Sequence, residues 1–346
     1  MIRINMKMRG FVLRRLFSSI FVLLGLSILI FTISRLVPGD VARLALGPEA
    51  PQWVVDAYRE KLHLNEPLPV QYYIWLTNAL HGDFGESITS RRAVIDDFVQ
   101  YFPATLELVI FSTIITISLS IIIGAYTGRR ANSLADNAFR VLSYFGIAVP
   151  AFVWAIIGLF LFGFVWNVFP ISGQLDTGVI RPPLVTGIML VDAAIAGNWL
   201  AFANHLHHII LPSAVMSIAR IAQDSKILRS GMVENLKKDY ILAATSYGIP
   251  DQTITMKYLL KPSLIPMVSI MGMEVAQSIG GSFIIETVFN WPGFGKYGMK
   301  AMLMKDVNPI VASVMLIGAS CAFVNILVDI IVAYLDPRIR VMEKAT

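Results

Sequence analysis

The stretch that decides the fold reads Leu236-Lys-Lys-Asp-Tyr-Ile-Leu-Ala-Ala-Thr-Ser-Tyr-Gly248-Ile-Pro-Asp251 and continues to Leu264-Ile-Pro266. It is a basic, amphipathic segment set between two apolar runs. Lys226, Arg229, Lys237, Lys238, Lys257 and Lys261 surround it, and that excess of positive charge assigns it to the cytoplasmic side of a membrane. The small pair Ala243-Ala244, with Gly248 four residues after Ala244, predicts a helix with a narrow face and a break behind it. Such a face suits insertion into a groove on another protein.

Composition supports a membrane setting for the whole chain. Of 346 residues 56% are hydrophobic and only 15% are charged, with the charges gathered between apolar runs, so a soluble globular domain is excluded. Mean hydropathy is +0.67. The net charge of +5 is explained by membrane topology, which leaves no call for a nucleic-acid partner. A single cysteine, Cys321, rules out an intrachain disulfide framework and a thiolate metal cluster.

Five apolar runs stand out, near residues 16–33, 104–127, 139–166, 264–288 and 309–334, each long enough to span a bilayer. Arg3, Lys7, Arg9, Arg14 and Arg15 precede the first run and no small-x-small site closes it, so it reads as an uncleaved helix. Residues 184–203 and 209–228 compete for a sixth span. If both crossed, the lysine-rich segment would fall outside, against the positive-inside bias; with one crossing, that segment and Arg338 and Arg340 all lie inside. The polar content of 209–228 (Ser213, Ser217, Gln223, Asp224) suits a helix facing a bundle interior, so it is taken as the span. Residues 184–203 then lie at the outer surface as a re-entrant or interfacial piece.

The expectation is an all-α polytopic membrane protein with six transmembrane helices and both termini cytoplasmic. Residues 1–33 hold the N-terminus and first helix, 34–103 form a long external region that caps or docks, and 104–346 form a five-helix core with a cytoplasmic loop at 229–263.

Within the spans, Glu274 and Gln277 are the sharpest polar feature. A carboxylate at the centre of an apolar helix costs roughly 2.5–3.5 kcal/mol, so it must face a path or a partner. Two readings stand: Glu274 lines a translocation path and meets a cationic substrate group, or it bonds to a neighbouring helix. Gly272, Gly280 and Gly281 on the same helix permit close backbone approach. Pro150 should kink the third helix, as a hinge or merely as a tolerated break. Asn325 and Asp329 share one face of the last helix, where packing or an ion pair accounts for them. His205-Leu-His207-His208 invites a metal reading, but adjacent histidines do not share one helical face, and interfacial histidines are the plainer account.

A nucleotide-binding P-loop is missing. Gly293-Phe-Gly295-Lys296 comes nearest, but Tyr297 follows where Ser or Thr is needed and Asn290 stands where the first Gly belongs. ATP-driven transport would therefore place hydrolysis on another polypeptide, and this chain is not itself an enzyme.

The 236–266 segment resembles the coupling loop of ATP-binding-cassette importer permeases: Glu-Ala-Ala, three residues, Gly, and a later Leu-Pro or Ile-Pro. Leu242 replaces the Glu, while Ala243, Ala244, Gly248 and Pro266 keep their places, as in the dipeptide, oligopeptide and nickel branch. Val37-Pro-Gly-Asp40, His81-Gly-Asp-Phe-Gly85, Ala104-Thr-Leu-Glu-Leu108, Val149-Pro-Ala-Phe152, Glu286-Thr-Val-Phe-Asn-Trp-Pro-Gly-Phe-Gly295 and Asp336-Pro-Arg-Ile-Arg340 resemble that branch in order. The resemblance implies a permease subunit in a bacterial or archaeal cytoplasmic membrane. It would pair with a second homologous permease, two cytoplasmic ATP-binding subunits that carry ATP and Mg, and an external substrate-binding protein. It implies no cofactor and no metal on this chain, and makes Tyr240, Ala243, Ala244 and Gly248 candidates for contact with the ATPases. Residues 184–195 resemble dipeptide permeases, which favours di- or oligopeptides as cargo. Nickel–chelate or oligosaccharide import stays open within the fold, and an ion-coupled carrier or channel outside it, though no inverted repeat supports the latter.

Overall fold

The computed structural model describes residues 2–36, 41–47, 49–61 and 63–335; the Val37–Asp40 and Asp336–Arg340 stretches lie outside them. The chain is all-α, and an isolated bridge between Glu86 and Ala93 is the one β contact among the described residues. In order come α1 (Ile2–Leu36), the short α2 (Val41–Leu46), α3 (Gln52–Lys61) and α4 (Leu68–Leu80), then the long α5 (Val94–Arg129). Next are α6 (Leu134–Ala148), α7 (Ala151–Gly158), which widens into a π-helical stretch over Leu159–Val165, and α8 (Met189–Ile195). The 38-residue α9 (Trp199–Leu236) follows, then α10 (Asp239–Ser246) and α11 (Asp251–Thr253), which passes through π geometry at Ile254–Leu260. The chain closes with α12 (Lys261–Gly281), α13 (Phe283–Val288), α14 (Phe294–Leu303) and α15 (Val307–Leu335).

Among the described residues, four helical stretches are long and apolar enough to cross a membrane: Leu13–Arg35, Val94–Arg129, Asp251–Gly281 and Val307–Ile330. The third run of the sequence is not one helix. It divides into α6 and α7 at a bend of 104°, and the pair makes a fifth candidate. Pro150 causes the break: it has no amide hydrogen to donate, and it pushes Val149 into extended backbone, with ψ at 125°. The run also starts earlier than its apolar residues suggest, because Ser133 caps α6 by accepting from the Asp136 amide.

The 209–228 stretch lies within α9, the polar helix at the centre of the molecule. It packs along α5 and against α12, α6, α7 and α8. Small residues let α5 and α9 meet closely: a Cβ on Gly124 would come 2.9 Å from Leu228 Cβ, and one on Gly128 2.9 Å from Met232 Cβ. Residues 184–203 form α8 and the first turns of α9, joined by Asn198, whose side chain caps α9. Buried Asp192 organises the approach to α8 by accepting from the amides of Val185, Thr186 and Gly187 and from the Thr186 hydroxyl. Burial opposes its charge, but these donors prevail and hold its carboxyl below the usual range.

Helical structure continues across the sequence boundaries at both 103/104 and 229. α5 begins at Val94, and α9 runs on to Leu236, so the loop between α9 and α12 is itself mostly helical. The region between α1 and α5 is tied down at two places. Tyr72 and Trp75 on α4 pack on Phe31 of α1, and Asp306, just before α15, accepts from the Ser87 hydroxyl and the Thr89 amide. Asp329 on α15 pairs with Arg15 on α1 at 3.1 Å.

Candidate functional site

Two regions concentrate the features singled out from sequence, and the first is α10. Lys237 and Lys238 turn the chain out of α9, and Gly248 turns it again with φ at +71°, a left-handed conformation suited to glycine. Ile241 and Ala244 point inward, into an apolar cluster with Leu228, Met232, Leu259 and Met267. Tyr240, Leu242 and Tyr247 are exposed, and so is Ala243. The alanine pair is thus divided: Ala244 seats the helix on its own bundle, while Ala243 belongs to the outward face. Open space surrounds Gly248. Sequence spacing marked the pair as one surface; which alanine faced out depended on where α9 and α12 lay.

The segment is tied to the bundle at this end. Arg229 grips Asp136 of α6 with two nitrogens, Arg129 pairs with Asp251, and Lys226 sits 4.3 Å from the ring of Tyr144. Lys226 and Arg229, two of the basic residues behind the cytoplasmic expectation, therefore also fasten the segment to the bundle.

The second region lies between α9 and α12. Glu274 is 9% exposed and accepts from Gln223 Nε2 at 2.8 Å. Arg220, one turn before Gln223, donates to Ser112 on α5 at 2.7 Å and to Ser278 on α12 at 2.9 Å. Asp224 is fully buried beside Glu274. Gln223 and Gln277 are exposed on neighbouring helices. Gln277 lies on the Asp251–Gly281 stretch, which is apolar enough to cross a membrane, and a glutamine amide exposed to lipid there would be costly. Glu274 thus has an interhelical bond and also lies under that polar face. Arg220 was not foreseen, and Asp224 only as part of a polar helix. Their spacing of three and four residues puts Arg220, Gln223 and Asp224 on one helical face, a legible signal, but Glu274 is remote in sequence.

The remaining sequence candidates go elsewhere. Pro150 lies at the exposed α6–α7 break, on another part of the bundle from Glu274. Gly272 permits close contact with α15, where a Cβ would strike Val328, whereas Gly280 and Gly281 meet no such neighbour. Each histidine of 205–208 has its own partners. His205 is fully buried, with Nδ1 to the Gln174 carbonyl at 3.0 Å and Nε2 3.0 Å from Glu107. His207 Nε2 meets the Val168 carbonyl at 2.7 Å, and His208 reaches Gly173 and Asp176. Together they pin the 166–176 loop onto α9. Asn204, with His208 behind it, holds the Asp176 carboxyl below its usual range. Among the described residues no three of His, Cys, Asp and Glu are grouped to hold a metal.

At the opposite end of the bundle from α10, the Glu286–Gly295 motif is a packing device. Glu286 is fully buried and accepts from Thr105 Oγ1 (2.7 Å), Ser282 Oγ (2.8 Å) and the Lys296 amide (2.8 Å). A Cβ on Gly293 would run into its carboxyl. Trp291, also fully buried, donates to the Ala104 carbonyl at 2.9 Å. The near-P-loop residues Gly293–Lys296 are therefore occupied with this carboxylate.

Residues 120–341 match the family described as binding-protein-dependent transport system inner membrane component, and residues 8–109 match the N-terminal region of such components. The chain is 33% identical, over 94% of its length and 96% of the relative's, to an Escherichia coli (strain K12) protein named "Probable D,D-dipeptide transport system permease protein DdpB". It is 32% identical to the di/tripeptide transport system permease protein DppB of Pseudomonas aeruginosa (strain UCBPP-PA14), over 96% of this chain and 99% of that one. The dipeptide transport system permease protein DppB of Escherichia coli (strain K12) is also 32% identical, over 96% and 99%.

Proposed function

The chain belongs to the family of binding-protein-dependent transport system inner membrane components, and on that premise we propose that it carries di- or oligopeptides inward as one permease of an ATP-binding-cassette importer. A second, homologous permease completes the path, two cytoplasmic ATPases supply ATP and Mg, and an external binding protein delivers the peptide. The observation that carries this reading is α10. It is a short helix anchored inward by Ile241 and Ala244, with Tyr240, Leu242, Ala243 and Tyr247 exposed and the left-handed Gly248 behind them. Exposed apolar side chains on a braced helix outside the apolar spans favour insertion into a partner's groove.

Coupling follows from the way α10 is mounted. A push on α10 is transmitted to α9 through the Ile241 and Ala244 cluster, and to α12 through Met267 and, just before that helix, Leu259. Because Arg229–Asp136 and Arg129–Asp251 clamp the surroundings, the displacement moves helices as bodies rather than bending the loop. The Gln223, Glu274 and Gln277 face lies on those two moving helices, and we assign it to the translocation path. Pro150 serves there only through the α6–α7 break. Peptide as cargo is supported by the names of the relatives, and nickel–chelate or oligosaccharide import remains the competing cargo.

The test is reconstitution in liposomes with the co-purified subunits, following ATP hydrolysis and uptake of labelled dipeptides with and without the binding protein. Peptide-stimulated hydrolysis with uptake is the expected result. Uptake by this chain alone, without ATP, would overturn the reading. Ala243→Trp should abolish uptake with the chain still inserted. It is a cleaner probe than Gly248→Trp, which also forces a side chain into left-handed backbone.

A further inference from the structure

Asp224 is fully buried on α9, and among the described residues neither of its carboxyl oxygens meets a donor. The carboxyl across the helix interface is that of Glu274, within hydrogen-bonding range of it. Two ionised carboxylates offer only acceptors and cannot bond to one another, but one proton between them makes the contact a hydrogen bond. Polar satisfaction thus points to a ligand of the smallest kind.

Charge points the same way. Arg220 acts electrostatically on both carboxyls, and one guanidinium set against two carboxylates leaves one negative charge inside the membrane. Two like charges in contact in a low dielectric do not both ionise. The surrounding elements offer no further cation among the described residues. From α5 the neighbour is the Ser112 hydroxyl, and from α12 that of Ser278, both bonded to Arg220. Gln223 of α9 is neutral and bonded to Glu274. Farther along α9, Lys226 covers Tyr144 and Arg229 is bound to Asp136. On α15, Cys321 is directed to the Ala276 carbonyl and Asp329 is paired with Arg15.

We propose that Asp224 and Glu274 form a proton-binding site within the membrane, one proton being held between the two carboxyls and exchanged by the pair as a unit. Exposed Gln223, bonded to Glu274, marks the side from which the proton enters and leaves. The site makes transport depend on pH through a single titration that belongs to the pair. It rests on α9 and α12 lying in the membrane and not on peptide being the cargo.

The test is infrared difference spectroscopy of the full chain in lipid nanodiscs. The wild type should show, at neutral pH, the C=O band of one protonated carboxyl that disappears on alkaline titration. Asp224→Asn should abolish it, Glu274→Gln should abolish it equally, and the double variant should lose no more than either single one. Each single variant leaves one carboxylate facing one guanidinium, a neutral pair that needs no proton. Glu274→Asp, which keeps both acids, should retain a one-group band and serves if a neutral variant fails to insert. Absence of the band in the wild type, or its survival in either single variant, would overturn the proposal. Failure of dipeptide uptake in liposomes would leave this spectrum unchanged, so the two readings fail separately.

Discussion

Glu286 and the Asp224–Glu274 pair are buried acids in one bundle, and they are treated in opposite ways. Glu286 collects two hydroxyls and a backbone amide, and Gly293 leaves just enough room for its carboxyl. Among the described residues Asp224 meets no donor, and Glu274 has one amide from an exposed glutamine. A buried carboxylate with every acceptor site filled is a fixed strut, because moving it would strand several donors at once. One left short of donors holds a place for a charge that comes and goes. The difference teaches that burial alone does not mark a functional acid; the supply of donors does.

The contrast breaks most readily at Glu286. Glu286→Ala strands Thr105, Ser282 and the Lys296 amide, and should lower stability on the order of 3–5 kcal/mol. The melting temperature of the detergent-purified chain would show it, and an unchanged melt would mean that the strut is not needed. Gly293→Ala drives a methyl into the same carboxyl and should cost about 1–3 kcal/mol by that assay. Asp224→Asn replaces the shared proton with an amide N–H that Glu274 can accept from, and no other donor is lost, so its melt should stay within about 1 kcal/mol of the wild type. A loss as large as that of Glu286→Ala would erase the distinction between strut and site.

The smallest effect concerns Asp192, a second satisfied acid. Its folded pKa lies below the ordinary aspartate value of about 3.9, so its contribution is complete above that value and fades as pH falls through the lower one. Amide protection over residues 185–195, each rate taken relative to its intrinsic rate at that pH, should therefore fall on acidification in the wild type, while in Asp192→Asn it should already be low at neutral pH and change little. Equal pH dependence in both proteins would show that the buried donors are not what Asp192 contributes.

Much of the fold was written locally. Apolar runs of membrane length, a proline after Val149 and a glycine after α10 each act on residues close in sequence, and the helices, the break and the turn lie where those signals stand. Local signals failed where a second element decides. The chain bends by 104° at Pro150, and α7 goes on to pack against α9 and α13, which lie far off in sequence. Ala243 and Ala244 look equivalent in sequence, yet the neighbouring helices bury one and leave the other exposed. The three histidines read from sequence as interfacial, but their individual partners, spread along the 166–176 loop, depended on how that loop lies on α9.

By itself the sequence determined the all-α membrane class and, through its ordered motifs, the likeness to peptide permeases. These depend on composition, charge bias and contiguous motifs, which survive without knowledge of any contact. Only the tertiary structure decided which polar residues meet. Gln223 and Glu274 are 51 residues apart in the chain, and Thr105 and Glu286 are 181 apart. Both pairs form because α9 and α5 bring distant faces within hydrogen-bonding reach, and a carboxyl's role follows from the donors it finds there.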